Sequence, residues 1–241
     1  SLGYTQRGTL NYEPLEGAIR MQNGSQASLN AEANSTNCAF CRRSDIAYVL
    51  KETSNFLIAA DHAPLVEGHL LIIPKQHYEC YGIVPPELDA ELFALKREVQ
   101  QFLDRFYAPI VFWEHGIFRQ TVFHAHLHCF PFGEAQYDSV EGLHSAVVCS
   151  QDDIRAWYAT KGPYFYMEDA HATLLFMPEV DRYLQVIKNV FQHGIRSRGG
   201  HGGWRPPQQR YEEGAPLIEA MIEKWRTFQQ QGAYYANESS A

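Results

Sequence analysis

The stretch that decides the fold reads Phe123-His124-Ala125-His126-Leu127-His128-Cys129-Phe130. Successive side chains of an extended strand point to opposite faces, so the three histidines share one face, and Ala125, Leu127 and Cys129 share the other. A helix would turn each histidine by about 200° from the one before and cannot align them. The aromatic ends favour a strand, and Pro131 ends it. We therefore predict a β-strand that carries a row of imidazoles on one face and core residues on the other.

A row of imidazoles suits phosphoryl transfer. A neutral imidazole has an unperturbed pKa near ~6.5, so it is a nucleophile at neutral pH without a separate strong base. A backbone carbonyl can hold its second nitrogen and so fix the tautomer, while flanking imidazoles donate hydrogen bonds to phosphate oxygens or to a leaving group. The alternative is a solvent-facing row of histidines with no chemical role.

Length, composition and charge limit the class of protein. The chain has 241 residues, of which 45% are hydrophobic, so it can bury a core and form one or two domains. Its net charge of −8 makes nucleic acid or an anionic membrane an unfavourable partner, although a local phosphate pocket is compatible with it. No apolar run is long enough for a membrane span, and the chain shows no secretory signal. We expect a cytoplasmic or nuclear protein.

The cysteines agree with a reducing compartment. Cys38 and Cys41 form a Cys-x-x-Cys pair, which in such a compartment favours metal binding or redox chemistry over a structural disulfide. The pattern leaves open a reduced pair that holds no metal. The other three cysteines stand singly and are interpreted as reduced thiols.

Hydrophobic patterning divides the chain into three parts. Residues 1–37 are polar and predict an irregular arm, with a short helix near 15–21. The middle part predicts one long helix at 85–107 among strands at 46–50, 56–61, 69–74 and 110–114. The last part predicts strands at 146–149, 163–168 and 171–177, helices at 179–192 and 216–229, and a flexible glycine-rich loop at 198–204. Strands without regular βαβ alternation indicate an α+β fold with an antiparallel sheet.

The histidine stretch matches the pattern His-φ-His-φ-His-φ-φ, in which φ is hydrophobic, and it resembles the histidine triad (HIT) superfamily of nucleotide hydrolases and transferases. The resemblance covers residues 38–132. It implies a HIT domain at 38–135, between the arm at 1–37 and a C-terminal α+β extension at 136–241 that packs on it. Family members are commonly homodimers, and the extension leaves the oligomeric state open.

The resemblance also implies residue roles. His126 would attack the α-phosphorus of a nucleotide and form a covalent nucleotidyl-histidine that water then hydrolyses. His128 would contact the phosphate or the departing group, and His69 would support the triad, which His124 begins. Further residues would bind substrate: Asp61 would accept hydrogen bonds from the ribose hydroxyls, and Gln120 and Thr121 would contact the leaving group and the phosphate.

Two positions depart from the family pattern. Trp113 stands where many members carry Asn or Gln, and it could stack on a base or fill the core. Arg119 replaces the usual Gly before Gln120, and it could clamp a phosphate or lie in solvent. These departures bear on the leaving group and the substrate, and they leave the triad unchanged.

The resemblance also implies a structural zinc site. The ligands would be Cys38, Cys41, His77 and His124, which supply the four nitrogen and sulfur atoms of a closed tetrahedral site. No organic cofactor is expected.

The function that follows is hydrolysis of a purine-nucleotide-type substrate: a nucleotidyl phosphoramidate, a phosphoester or a phosphoanhydride such as a dinucleoside polyphosphate. His128 occupies the position where family transferases typically carry Gln, which favours hydrolysis. The alternatives are a nucleotidyl transferase that uses an acceptor and a non-catalytic module that binds a nucleotide or an RNA end.

Overall fold

The computed structural model describes residues 38–133, 140, 142–200 and 207–238. The arm at 1–37, with its predicted short helix, and most of the predicted loop at 198–204 lie outside the described residues. Among the described helices, none combines the length and the apolar character that crossing a bilayer requires.

Eight strands form one antiparallel sheet, as the α+β prediction requires. Their order across the sheet is β1-β2-β3-β5-β4-β7-β8-β6. The strands are β1 (Val49–Glu52), β2 (Phe56–Ala60), β3 (Leu70–Pro74), β4 (Val111–Glu114), β5 (Leu127–Phe130), β6 (Ala146–Val147), β7 (Phe165–Glu168) and β8 (Thr173–Phe176). The α+β fold class is therefore confirmed.

The extension continues the sheet of the first portion. β4 pairs with β7, so that Trp113 lies opposite Met167 and Glu114 lies opposite Tyr166. The buried Glu114 carboxylate accepts a hydrogen bond from Tyr164 Oη at 2.6 Å and another from the Tyr81 backbone N–H at 2.7 Å. Burial raises the pKa of Glu114 to about 7 despite these two donors. A shared sheet and a buried polar contact thus join the two portions.

Helices cover both faces of the sheet. They are α1 (Asp89–Phe106), α2 (Gln151–Lys161), α3 (Val180–Val186), α4 (Gln192–Ser197) and α5 (Pro207–Glu238), and a π-helical turn (Ile187–Phe191) joins α3 to α4. On one face, α1, α2 and α5 bury side chains such as Phe102, Trp157 and Trp225. On the other face, Phe191 from the π-helical turn packs with Trp113 of β4. The alternating residues of β4 and β5 are thereby divided between two cores.

The histidine strand is shorter than predicted. β5 begins at Leu127, so His124 and His126 precede it in an irregular segment. The Ala125 backbone N–H donates to the carbonyl of Tyr78, which lies outside every strand, instead of joining the β3 ladder. The predicted division of faces is nevertheless confirmed, because Ala125, Leu127 and Cys129 all lie in the core that α1 covers.

Two helix predictions were inexact, and one helix was missed. α2 was not predicted at all. The helix predicted at 179–192 is interrupted by the π-helical turn and is followed by α4. The last helix begins at Pro207, so Pro216 lies inside it and does not start it. Pro216 removes one helical hydrogen bond, but Ile218 and Met221, which follow it, are buried in the core and hold the helix in place.

Gly116, which follows β4, permits a close approach of the two portions. Its φ is +51°, and a Cβ there would lie 2.6 Å from the Tyr164 carbonyl oxygen. We expect Gly116→Ala to lower the free energy of unfolding by about 2 kcal/mol or more, because a clash with backbone adds to the cost of a positive φ. Gly199→Ala is the matched control, since Gly199 ends α4 with φ +76° and has nothing within 4 Å of the added carbon. Denaturant unfolding of both variants measures the difference, and equal losses would contradict the prediction.

Candidate active site

The row of histidines opens onto a cavity. In the sheet, His128 lies between Leu71 of β3 and Trp113 of β4. His126 and His128 both line a cavity of about 440 Å³, together with His69 and His115. With His62, five imidazoles therefore line one cavity.

The tautomer of His126 is fixed by the backbone. Its Nδ1 lies 2.6 Å from the His124 carbonyl oxygen. A carbonyl only accepts hydrogen bonds, so Nδ1 carries the proton and Nε2 keeps a lone pair. The side chain is 6% exposed, and burial lowers its pKa below the ordinary value, so the imidazole is neutral at pH 7. His126 thus offers an uncharged nitrogen nucleophile.

A hydrogen-bonded pair fixes His128. The Leu65 backbone N–H donates to His69 Nδ1 at 3.4 Å, so the His69 proton is on Nε2. That Nε2–H donates to His128 Nδ1 at 3.0 Å, which leaves the proton of His128 on Nε2. The Asp61 carboxylate lies 3.7 Å from His69 Nε2 and accepts a hydrogen bond from the Ala63 backbone N–H at 2.8 Å. His126 and His128 therefore differ in role, because the first presents a lone pair and the second an N–H donor.

Burial keeps these imidazoles neutral. It lowers the pKa of His69 and that of His115 to about 4 each, although Asp61 opposes the effect at His69. The pKa of His128 lies well below the ordinary value for the same reason, and the neighbouring imidazoles lower it further. These three histidines thus add no positive charge to the cavity at neutral pH.

These low pKa values predict that stability depends on pH. Between pH 4 and about 6.5 the unfolded chain binds more protons at His69 than the folded chain does, so the free energy of unfolding falls as the pH falls through this window. Each such group contributes at most about 3 kcal/mol. We expect the Tm to drop between pH 7 and pH 5, and to drop less in His69→Asn. His193→Asn, on the exposed surface, is the control; an undiminished drop in His69→Asn would contradict the prediction.

The outer wall of the cavity comes from the extension. Tyr183 of α3, two residues of the π-helical turn, and Arg210 and Tyr211 of α5 line it. The His62 and Tyr211 rings stack at 4.9 Å, and His62 Nε2 lies 3.1 Å from Tyr211 Oη. Sequence reasoning did not identify these lining residues: Phe40, His62, His115, Tyr183, Ile187, Phe191, Arg210 and Tyr211. Phe40 and His115 each lie close in sequence to a predicted site residue. Phe40 lies between Cys38 and Cys41, and His115 lies two residues after Trp113, which departs from the family pattern.

The predicted substrate-binding residues occupy different environments. Asp61, Thr121 and Trp113 line the cavity. Trp113 is 1% exposed, and its Nε1–H has no partner among the described residues. Gln120 and Arg119 do not line the cavity. Arg119 is exposed, with its guanidinium 5.6 Å from the centre of the Tyr183 ring.

Gln120 instead holds the loop that presents the histidines. Its Nε2 donates to the carbonyls of Glu79, Val122 and His124, and its Oε1 accepts the Ile117 backbone N–H at 2.9 Å. Ile117 has φ +79°, an unfavourable value for a β-branched residue. The buried amide thus compensates for strain in the loop between β4 and the triad.

The predicted metal ligands converge at one point. The donor atoms of Cys38, Cys41, His77 and His124 all lie within 4.8 Å of one another. His124 Nδ1 is 3.4 Å from Cys38 Sγ and 3.5 Å from Cys41 Sγ, and His77 Nδ1 is 3.2 Å from Cys41 Sγ. Sulfur and nitrogen ligands of a tetrahedral zinc ion are separated by about 3.6 Å. His124 Nε2–H donates to the Pro74 carbonyl at 2.7 Å, so Nδ1 keeps a lone pair toward the thiols. The four residues therefore fit a zinc ion.

Similarity to known proteins agrees with this geometry. The family model described as HIT domain matches residues 43–134. The adenosine 5'-monophosphoramidase hnt1 of Schizosaccharomyces pombe is 30% identical over 122 residues, which are 49% of this chain and 91% of that protein.

Solved structures also resemble the chain. A zinc-bound histidine triad family protein from Mycobacterium smegmatis is 28% identical, with a TM-score of 0.36, over 52% of this chain and 95% of that one. A HIT family protein from Bacillus anthracis is 25% identical, with a TM-score of 0.37, over 48% of this chain and 85% of that one. The family-model match, together with 30% identity across nearly the whole of the yeast protein, shows that the chain belongs to the HIT family.

Proposed function

We propose that this protein hydrolyses a nucleotide at its α-phosphorus through a covalent nucleotidyl-histidine on His126. The observation that carries the proposal is the His126 imidazole, whose Nδ1–H is bound to the His124 carbonyl while the ring lines the cavity. Its pKa is lowered by burial, so the lone pair on Nε2 is available at neutral pH without a separate base. Similarity to an adenosine 5'-monophosphoramidase supports a nucleoside phosphoramidate as substrate.

The reaction proceeds in two displacements. His126 Nε2 forms a bond to the α-phosphorus as the P–N bond of the N-protonated phosphoramidate breaks, so that the leaving group departs as neutral ammonia, and the His128 Nε2–H hydrogen-bonds to the leaving atom or a phosphate oxygen. Water then forms a bond to the same phosphorus as the bond to His126 Nε2 breaks, which releases the nucleoside monophosphate, frees the imidazole and gives one proton to solvent. His69 holds His128 in the donor tautomer throughout. His124 contributes through its carbonyl, which orients His126.

Three cavity residues bind the nucleotide. Asp61 accepts hydrogen bonds from the ribose hydroxyls, since its Oδ2 atom is not used by the loop that it caps. Thr121 donates its hydroxyl to the phosphate or the leaving group. Trp113, which is 1% exposed, forms part of the apolar wall behind the bound nucleotide.

A zinc ion held by Cys38, Cys41, His77 and His124 stabilises this arrangement. The fit of the four donor atoms supports the proposal. When bound, the ion cross-links the chain near residue 40 to the triad and takes no part in the displacement. Phe40, between the two cysteines, packs edge-on against His126 at 5.3 Å, so the same loop also confines the nucleophile.

The test is release of nucleoside monophosphate. We expect AMP to form when the protein is incubated with adenosine 5'-phosphoramidate or with a dinucleoside polyphosphate. Formation of a new ester only when an acceptor alcohol or phosphate is added would indicate a transferase. Binding without any product would indicate a non-catalytic module, and either result would contradict hydrolysis.

A further inference from the structure

The cavity contains one strong cation, and it belongs to the extension. Among the described residues that line the cavity, Arg210 of α5 is the single arginine or lysine. Burial lowers the pKa values of His69, His115 and His128, so these three imidazoles are neutral at pH 7. Arg210 therefore supplies the permanent positive charge among the described residues that line the cavity.

Within the described residues, Arg210 has no partner for that charge. Its Nε atom is buried and makes no hydrogen bond within the described part of the chain, and no described carboxylate forms an ion pair with it. Arg226, sixteen residues further along α5, pairs with Glu223. A buried N–H without an acceptor is costly, and a ligand oxygen would relieve that cost.

Arg210 lies near His69 and the loop that follows β2. Its charge lowers the pKa of His69. The next residue, Tyr211, stacks on His62, which follows Asp61. Gly214 lets the same helix approach Pro64, since a Cβ there would lie 2.5 Å from Pro64 Cδ. The guanidinium thus lies on the side of the cavity that holds His69 and Asp61.

We propose that Arg210 binds a second phosphate group of the substrate, distinct from the one that His126 attacks. This inference rests on the proposed function. The second phosphate is carried either on the ribose or on the 5' side beyond the α-phosphate. A guanidinium binds a phosphate at either position in the same way, through two parallel N–H···O bonds. The extension thereby selects substrates that carry more than one phosphate.

Titration calorimetry with three ligands tests the proposal: AMP, ADP and adenosine 3',5'-bisphosphate. All measurements use the His126→Asn background of the full chain, in which no covalent step competes with binding. We expect ADP or the bisphosphate to bind at least about tenfold more tightly than AMP, a preference typical of one charge-assisted contact. Arg210→Gln should reduce that preference to about twofold or less. The ligand that shows the preference identifies where the second phosphate is attached.

Two further variants make the result specific. Arg226→Gln on the exposed part of α5 should keep the preference, and Arg210→Lys, which retains the charge without the paired geometry, should keep part of it. Equal affinity for the three ligands, or an unchanged preference in Arg210→Gln, overturns the inference while nucleotide binding stands. If none of the three ligands binds, the proposed function fails together with the inference.

Discussion

Replacement of His126 by alanine is expected to lower kcat for adenosine 5'-phosphoramidate by about 10⁴-fold or more, because the proposed mechanism attacks phosphorus with the lone pair on His126 Nε2. The fold should survive, since the change removes a ring that touches Phe40 and His128 and leaves the backbone hydrogen bonds in place. Steady-state release of AMP measures the loss, and thermal unfolding verifies the fold.

His193→Ala is the matched control for this substitution. His193 is exposed on α4 and does not line the cavity, so its replacement should leave kcat within about twofold. Activity of His126→Ala within tenfold of the unmodified protein would contradict the assignment of the nucleophile. His128→Ala should show an intermediate loss, of about 10²- to 10³-fold, because it removes a hydrogen-bond donor and leaves the nucleophile.

Loss of the metal site is expected to have the largest effect on stability. Cys41→Ser removes one of the four converging donor atoms, and we expect zinc content to fall from about one equivalent to near zero and the Tm to fall by about 10 °C or more. The reason is that a bound ion would join the chain near residue 40 to His77 and His124, which are far apart in sequence. Elemental analysis and thermal unfolding of protein purified without chelators measure both changes.

Cys149→Ser serves as the control for the metal site. Cys149 is exposed and lies outside the cluster, so this variant should keep both zinc and Tm. Burial is the main cause, and the hydrogen bond to Cys38 the second cause, of the rise in the pKa of Cys41 to about 11 in the metal-free protein. The thiol is therefore protonated at neutral pH, and because a metal binds the thiolate, metal uptake should release protons. Less than about half an equivalent of zinc in the unmodified protein would contradict the site.

The division of the triad residues between two faces was predictable because it depends on local geometry. Ala125, Leu127 and Cys129 lie in one core, as their alternation with the histidines requires. α1 was also predicted within a few residues, since its apolar stripe repeats at helical spacing. α2 was missed although its start carries a signal, because the Ser150 and Asp153 pair forms a capping box.

The outer wall of the cavity was beyond sequence reasoning. Tyr183 and Arg210 come from helices that follow the triad by more than fifty residues, and only the pairing of β4 with β7 brings the extension to this face. No local pattern specifies such a pairing. The π-helical turn was equally unpredictable, because the sequence there has the pattern of an ordinary amphipathic helix. Its residues Ile187 and Phe191 line the cavity.

The most direct test of the account is to trap the covalent species. The protein is mixed with excess adenosine 5'-phosphoramidate, quenched at neutral pH in denaturant within the first turnover, and digested for mass spectrometry. The account predicts one adenylyl group on the His126 imidazole, which is absent from His126→Ala. An adenylyl group on another residue, or turnover with no adduct, would contradict it.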